Sequence, residues 1–194
     1  KPGAYVEGEI DGSVRIDHKD VKLVNAKING DLILGEGIGE GTVNLINVEV
    51  EGETLVRGGG ENSIILDNCK LAKIIIEKKD NKIRILAKGK TSIDETEMKS
   101  GGKLESQNLT GEGFSKVVLT EDVKKDEIIE LLGNFEKVVV QAKEISVQVS
   151  GGRVKDLSIA KTASDLKLQL RKGAKVTTLI ADAPIAVAGQ GKID

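Results

Sequence analysis

Val21-Lys-Leu-Val-Asn25-Ala-Lys-Ile28 is the first of three stretches that share one pattern, an asparagine set between alternating apolar residues. The other two are Val43-Asn-Leu-Ile-Asn47-Val-Glu-Val50 and Ile64-Ile-Leu-Asp-Asn68-Cys-Lys-Leu71, so the asparagine recurs after 22 and then 21 residues. A fixed period of about 20–50 residues indicates a solenoid, because one unit is too small to bury its own apolar face and has to stack on copies of itself.

The alternation of apolar residues within each repeat predicts three short strands per coil. In the first repeat the alternating pairs are Val21/Leu23, Ala26/Ile28 and Leu32/Leu34. A period of two places one side of each strand inward. The chain is therefore predicted to be all-β, a single-stranded right-handed parallel β-helix with coils of 19–22 residues, since parallel crossovers are overwhelmingly right-handed. Roughly eight coils would form a rod about 40 Å long.

Asparagine and glycine predict the bends between the strands. Asn25, Asn47 and Asn68 should stack at one corner, because asparagine tolerates left-handed backbone and its amide can bond to the neighbouring coils. Gly30 and Gly52 mark a second corner. The third corner is predicted to be formed by two longer glycine-rich loops, Gly35-Glu-Gly-Ile-Gly-Glu-Gly41 and Arg57-Gly-Gly-Gly-Glu-Asn-Ser63.

The repeat continues downstream with one unclear region. A fourth coil is predicted from Ile83 through Ile93, with Ala87 in place of the corner asparagine, and the pattern is then weak from Asp94 to Ser115. It returns as two interleaved series of predicted strands. The first series is 135–140, 154–159 and 176–181, and the second is 145–149, 166–170 and 185–188.

Residues 1–194 are predicted to be one domain. Asp126–Gly133 fits either a short helix or a strand, and the neighbouring strand repeats favour the strand. No linker divides the chain, and its only prolines are Pro2 and Pro184. The start at Lys1-Pro2 and the lack of an evident polar cap predict a segment of a larger surface protein, whose neighbouring domains would cover the open ends.

Composition excludes several classes of partner. The net charge is −2 with Lys and Glu interspersed, which disfavours binding to nucleic acid or to an anionic membrane. No apolar run is long enough for membrane insertion. The single cysteine, Cys69, takes the repeat position of Ala26 and Val48, which predicts a small buried side chain.

No catalytic, cofactor-binding or metal-binding residue can be assigned. His18 is the only histidine and is predicted to be a solvated loop residue, so no Ser-His-Asp or Cys-His apparatus is supported, and zinc would lack ligands. The Gly35–Gly41 loop resembles phosphate-binding and calcium-binding loops only superficially. Plain corner turns are the favoured interpretation, with calcium left as an alternative.

Some parallel β-helices degrade polysaccharides, which makes an enzyme a further alternative. Such a site needs paired acids with Lys or Arg on one face. The arginines show no shared register in the sequence, and aromatic platforms for sugars are scarce, with one Tyr, two Phe and no Trp. We therefore expect no enzyme activity. A file of Tyr, or of matched acids and lysines, along one face would favour polysaccharide binding or catalysis over a purely structural role.

The repeat resembles the β-solenoid segments of large surface proteins of Gram-positive bacteria, many of which carry S-layer homology domains. The resemblance rests on Asn25–Asn68 with its Gly-Glu-Gly and Arg-Gly-Gly-Gly corners, and on the closing stretch Ile180–Ile193. It implies an extracellular, cell-wall or S-layer setting and a non-catalytic structural or adhesive role. The alternative is a polysaccharide-binding module of a wall-anchored carbohydrate-active protein, with cell-wall or plant polysaccharide as partner.

Overall fold

The chain forms one continuous stack of parallel strands, in which each turn adds a strand to each of three faces. The computed structural model describes residues 1–6, 8–80 and 83–194. Strands make up 60% of it and helix 2%, and the solenoid has about nine turns. The predicted parallel β-helix is confirmed, with about nine turns rather than eight.

The strands are short at the start of the chain and longer toward its middle, where several continue around a corner. One 3-10 helix, Glu36–Ile38, lies in the first glycine-rich loop. In chain order the strands are Gly3–Val6 (β1), Glu9–Ile10 (β2), Val14–Ile16 (β3), Val21–Val24 (β4), Lys27–Ile28 (β5), Leu32–Leu34 (β6), Val43–Ile46 (β7), Glu49–Val56 (β8), Ile65–Asp67 (β9), Lys70–Ile76 (β10), Arg84–Gly89 (β11), Ser92–Met98 (β12), Gly102–Leu109 (β13), Gly113–Leu119 (β14), Ile128–Val140 (β15), Ser146–Ile159 (β16), Leu166–Leu170 (β17), Ala174–Ala181 (β18), Ile185–Gly189 (β19) and Lys192–Ile193 (β20).

Every strand pairing in the stack is parallel. The first face contains β1, β4, β7, β9, β11 and β13, followed by the beginnings of β15 and β16 and then by β17 and β19. The second face starts with β2 and β5, and the third with β3 and β6. From β8 onward one strand commonly serves both the second and the third face, because β8 pairs with β5 at its start and with β6 at its end.

Aliphatic side chains fill the interior in files that run along the rod. Two of the three aromatic residues are also inside: Phe114 and Phe135 are paired in register, with ring centroids 5.2 Å apart. Burial of these apolar groups is the main force that holds the coils together. Three of the files, all with side chains at most 4% exposed, are Leu23–Leu45–Leu66, Ile28–Val50–Leu71 and Leu34–Val56–Ile76.

The predicted asparagine column is confirmed. Asn25, Asn47 and Asn68 have φ values of 54°, 54° and 55°. The Asn47 side-chain amide donates to Asn25 Oδ1 at 3.0 Å, and the Lys90 backbone N–H donates to Asn68 Oδ1 at 2.8 Å. Each side chain thus connects two coils at a bend that needs left-handed backbone.

The fourth member of this column differs from the sequence prediction. Ala87 pairs with Leu66 and is fully buried on the inward side, so it is not at the corner. Gly89, with φ 62°, follows Lys88 at the bend instead. A side chain at this position would collide with Asn68, because a Cβ atom on Gly89 would lie 2.4 Å from Asn68 Oδ1.

The region of weak repeat is regular in the structure. β12, β13 and β14 continue the three faces without a break. The segment Asp126–Gly133 enters β15, so the strand prediction is confirmed. One coil exceeds the predicted length, since Leu104 pairs with Leu131, 27 residues later. The extra residues form a loop before β15 that does not disturb the registers.

Both ends of the rod leave inward positions uncovered. Tyr5 occupies the position of Leu23 and is 39% exposed, while Val187 and Ile193 occupy those of Leu168 and Val176 and are 48% and 40% exposed. Covering by neighbouring domains stays a prediction. Among the described residues, no helix has the length and apolar character needed to cross a membrane.

Candidate functional site

A groove on the outer side of the first face is the candidate site. It has a volume of about 400 Å³ and lies where the loop before Ile64 meets the beginnings of three strands. Arg84, Lys103 and Glu130 are neighbours in register on β11, β13 and β15. The lining residues are Glu61, Asn62, Ile83, Arg84, Gly102, Lys103, Ile128 and Glu130.

Arg84 is the most constrained polar side chain of the groove. Its guanidinium lies 3.4 Å from Glu105 Oε2 and donates to the Asn62 backbone carbonyl at 3.4 Å. Both distances are long for hydrogen bonds. Its Nε is buried and has no hydrogen-bond partner within the described residues. A buried N–H of a charged group without a partner is costly, and the long contacts of the other guanidinium nitrogens leave room for a closer acceptor.

The groove offers donors, acceptors and a small apolar surface side by side. Lys103 Nζ lies 3.4 Å from Glu105 and 3.9 Å from Glu130, so the acids are already held by cations. Ile128, 50% exposed, supplies the apolar part. A neutral ligand rich in hydroxyl or amide groups fits this mixture better than an anion, which the carboxylates would repel, or a metal ion, which the cations would repel.

Files of matched acids and lysines run along the rod. Lys73 Nζ lies 2.8 Å from Glu97 and 3.7 Å from both Glu53 and Glu95, and Glu95 is also 2.8 Å from Lys116. The Glu97 carboxylate raises the pKa of Lys73, and the Lys116 ammonium lowers the pKa of Glu95. Such a file was the feature expected to favour polysaccharide binding. Its charges, however, are partnered with one another between coils.

His18 is exposed, as predicted, at the rim of the open N-terminal end. This end forms a cavity of about 640 Å³ whose floor includes Tyr5, Ile10 and Val14. Asp17 beside it accepts the Gly37 backbone N–H at 3.0 Å, which is the main reason that its pKa is lowered; the nearby Arg15 guanidinium adds to this. The arrangement joins two coils.

Cys69 is buried, as predicted, and its thiol is not poised for chemistry. It is 1% exposed, and its Sγ–H donates to the Leu45 carbonyl at 3.2 Å. Burial raises the pKa of the thiol to about 11. Reactive cysteines need a lowered thiol pKa and access to solvent. Cys69 therefore acts as a core side chain.

The Gly35–Gly41 loop forms a packed corner. Ile38 at the end of its 3-10 helix is 1% exposed, and the next coil packs closely on the loop, since a Cβ atom at Gly58 would lie 2.0 Å from Gly35 O. Across residues 1–6, 8–80 and 83–194, no group of three or more His, Cys, Asp or Glu side chains is placed to hold a metal ion.

Sequence reasoning did not identify the groove. Its main residues come from separate coils, and the register between Lys103 and Glu130 passes through the long coil that hides the repeat. Arg84 and Lys103, 19 residues apart, were the usable signal, since both lie at the start of a strand on the first face and are paired in register.

Among solved structures, the chain is similar to chitinase ChiW from Paenibacillus sp. strain FPU-7, a bacterial cell-surface-expressed multi-modular enzyme machinery. The two share 32% sequence identity, with a TM-score of 0.65 and coverage of 67% of this chain. The match spans 12% of the ChiW chain, so it concerns one part of that larger protein. No known protein family and no curated protein matches the chain.

Proposed function

We propose that the chain is a non-catalytic structural module of a bacterial cell-surface protein, a rigid β-solenoid spacer within a multi-modular assembly. The observation that carries the proposal is the continuous stack of about nine turns, in which charged side chains such as Lys73, Glu95 and Glu97 pair with one another between coils. The likeness to part of a cell-surface-expressed enzyme supports the location. S-layer association and an adhesive role are the finer form of this proposal and rest on the style of the repeat.

An activity assay tests the non-catalytic role. The purified chain is incubated with chitin, xylan, β-glucan and pectin, and reducing ends and unsaturated products are measured against a chitinase as positive control. We expect no release above buffer. Release of either product from any of these polymers would contradict the proposal.

A polysaccharide-binding module is the second candidate, and one observation favours it. The Arg84 guanidinium makes only long contacts, of 3.4 Å, to Glu105 and to the Asn62 carbonyl in a groove that also offers Lys103, Glu130 and exposed Ile128. An acetamido or hydroxyl oxygen of a sugar would supply the guanidinium with a closer acceptor, and the methyl group of an acetamido sugar would pack on the isoleucine. The likeness to a chitinase is consistent with such a ligand. The scarcity of exposed aromatic rings limits the affinity expected from stacking.

Depletion from solution by insoluble chitin separates the two candidates. If the groove binds, Arg84→Ala should reduce the retained fraction at least tenfold. Arg153→Ala, which removes an exposed arginine on the second face, should leave the fraction bound to chitin unchanged. If chitin retains both variants equally, any binding lies outside the groove. If chitin does not retain the unmodified chain, the polysaccharide-binding candidate fails and only the spacer role is supported.

A further inference from the structure

The outer side of the third face carries an aliphatic file along almost the whole rod. Strand register connects one outward-facing residue in each of nine successive coils of this face. Arg15, Glu97 and Ser158 occupy three of these positions. The other six, here called the outer file, are Ile33, Leu55, Ile75, Val118, Val139 and Ile180.

The outer file is not explained by the packing of the rod itself. These side chains point away from the core, because their strand neighbours, such as Thr54 and Val56, are the fully buried ones. Ile180 is 57% exposed, Val118 is 7% exposed, and the other four members are partly exposed. On the second face the corresponding outward positions are polar, as in the register neighbours Glu9, Lys27 and Glu49. An apolar strip of this length on the outer side of one face, even with Glu97 and Ser158 within it, marks an interaction surface.

Charged residues border the outer file on both sides. In three successive coils the residues on its two sides are Glu53 and Arg57, Lys73 and Glu77, and Glu95 and Lys99. In each coil the two borders therefore carry opposite charges, and the sign alternates from coil to coil.

We infer that the third face is the contact surface for a second copy of this chain, with the two rods side by side and parallel. A two-fold axis parallel to the rods brings each coil against the same coil of the partner and exchanges the two borders. Glu53 then faces Arg57, Lys73 faces Glu77 and Glu95 faces Lys99, so each of these three coils contributes oppositely charged pairs.

Overlap and charge together select the parallel arrangement. An axis across the rods, centred on Glu97, also overlaps all nine coils but places Lys73 of one copy opposite Lys116 of the other, because these residues lie one coil before and one coil after Glu95. An axis halfway to the preceding coil places Lys73 opposite Glu95 instead, but only eight coils then overlap. The parallel arrangement overlaps all nine coils and places no like charges opposite each other along the two borders.

The size of the face fits a reversible dimer. Nine coils at about 4.8 Å and five residues across at about 3.3 Å give a surface of roughly 40 by 15 Å, or about 600 Å² per copy. Specific interfaces bury about 1,200–2,000 Å² in total, so this contact lies at the lower end of that range.

Glu97 provides a sensitive probe, since it interrupts the outer file. Lys73 Nζ holds its carboxylate at 2.8 Å. In the parallel dimer Glu97 meets Glu97 of the partner near the axis, so an aliphatic side chain at this position should strengthen association. A variant that gains affinity cannot be explained by loss of folding.

Sedimentation velocity over a wide concentration range tests the inference. We expect the unmodified chain to dimerise reversibly. The concentration at which half of the chain is dimeric should be at least tenfold higher for Leu55→Lys and at least tenfold lower for Glu97→Leu. Ile128→Lys, at an isoleucine 50% exposed on the first face, is the matched control and should behave as the unmodified chain. Circular dichroism verifies that each variant is folded.

Cross-linking tests the orientation independently. In a Cys69→Val background, Leu55→Cys is treated with a bismaleimide that spans the roughly 10 Å between packed sheets. The parallel dimer predicts cross-linking of Leu55→Cys to itself, whereas an antiparallel dimer would join Leu55→Cys to Val139→Cys or, with its axis halfway between two coils, to Val118→Cys. A chain that stays monomeric even as Glu97→Leu would overturn the inference, as would dimerisation unaffected by Leu55→Lys or a cross-link of only the mixed kind.

Discussion

At the residue scale, the corner asparagines show how one side chain serves both the bend and the stack. Asn47 holds φ at 54°, where most residues are strained, and its amide donates to Asn25 in the preceding coil. Its backbone N–H donates to Asp67 O in the following coil at 2.9 Å. Substitution at Asn47 therefore affects three coils at once.

Asn47→Leu should lower the free energy of unfolding by roughly 1–3 kcal/mol, because leucine is strained at positive φ and leaves Asn25 Oδ1 without its donor. Urea unfolding followed by circular dichroism measures the change. Asn44→Leu is the control, since Asn44 lies on β7 with ordinary strand backbone and should change stability by under about 0.5 kcal/mol. Equal effects of the two substitutions would count against the asparagine column.

Two inward threonines interrupt the aliphatic files. Thr54 and Thr96 are fully buried, and within the described residues neither hydroxyl has a hydrogen-bond partner. Replacing a buried unsatisfied hydroxyl by a methyl group of similar shape is expected to stabilise. Thr54→Val should thus raise the free energy of unfolding by about 1 kcal/mol, while Thr178→Val, at an exposed position on the third face, should leave it unchanged. A loss of stability in Thr54→Val would show that its hydroxyl is satisfied.

Cys69 gives the rod a dependence on alkaline pH. Burial raises the pKa of its thiol from 9.0 to about 11, so the folded state retains the proton more tightly than the unfolded state. This contribution is complete below about pH 9 and is lost as pH rises to about 11, at roughly 2–3 kcal/mol. Cys69→Val should show a smaller loss in this window in urea unfolding at pH 8, 9.5 and 11. The same pH dependence in both proteins would contradict it.

At the element scale, corner glycines permit the close stacking of coils. Gly152 has φ 79°, and a Cβ atom there would lie 2.1 Å from Gly133 O. Gly173 has φ 87°, with open space at the corresponding position. The pair separates backbone strain, which both share, from contact between coils, which only Gly152 makes.

Gly173→Ala should destabilise by about 1–2 kcal/mol through strain alone. Gly152→Ala should cost about 1–3 kcal/mol more, because its methyl group forces two coils apart. Guanidinium unfolding, fitted with one common denaturant slope, compares the free energies of unfolding of the two variants. If the two substitutions cost the same, the corner does not depend on inter-coil contact.

Strands were predictable wherever the coil pattern is kept, because stacking requires the same kind of side chain at the same position. The strands and corners of Asn25–Leu71 could be predicted from the sequence for this reason. The fourth corner was misassigned to Ala87 since Gly89 performs the same backbone role without an amide. The long coil between Leu104 and Leu131 hid the register, although β13 and β15 pair normally.

At the scale of the whole molecule, the groove and the outer file depend on which residues the stack brings together. Arg84 reaches Asn62 O and Glu105, 22 and 21 residues away, and no local motif records either contact. The outer file is visible in the sequence only after the exact register of nine strands is known. Surface features of a solenoid are thus less predictable than its core.

If the chain is the structural module proposed above, we expect stacked aliphatic files and inter-coil hydrogen bonds to hold this rod without any bound ion. Thermal unfolding by circular dichroism, with and without excess chelator and then with added calcium, tests it most directly. We expect the same midpoint in all three conditions. A midpoint that falls with chelator and recovers with calcium would contradict the claim.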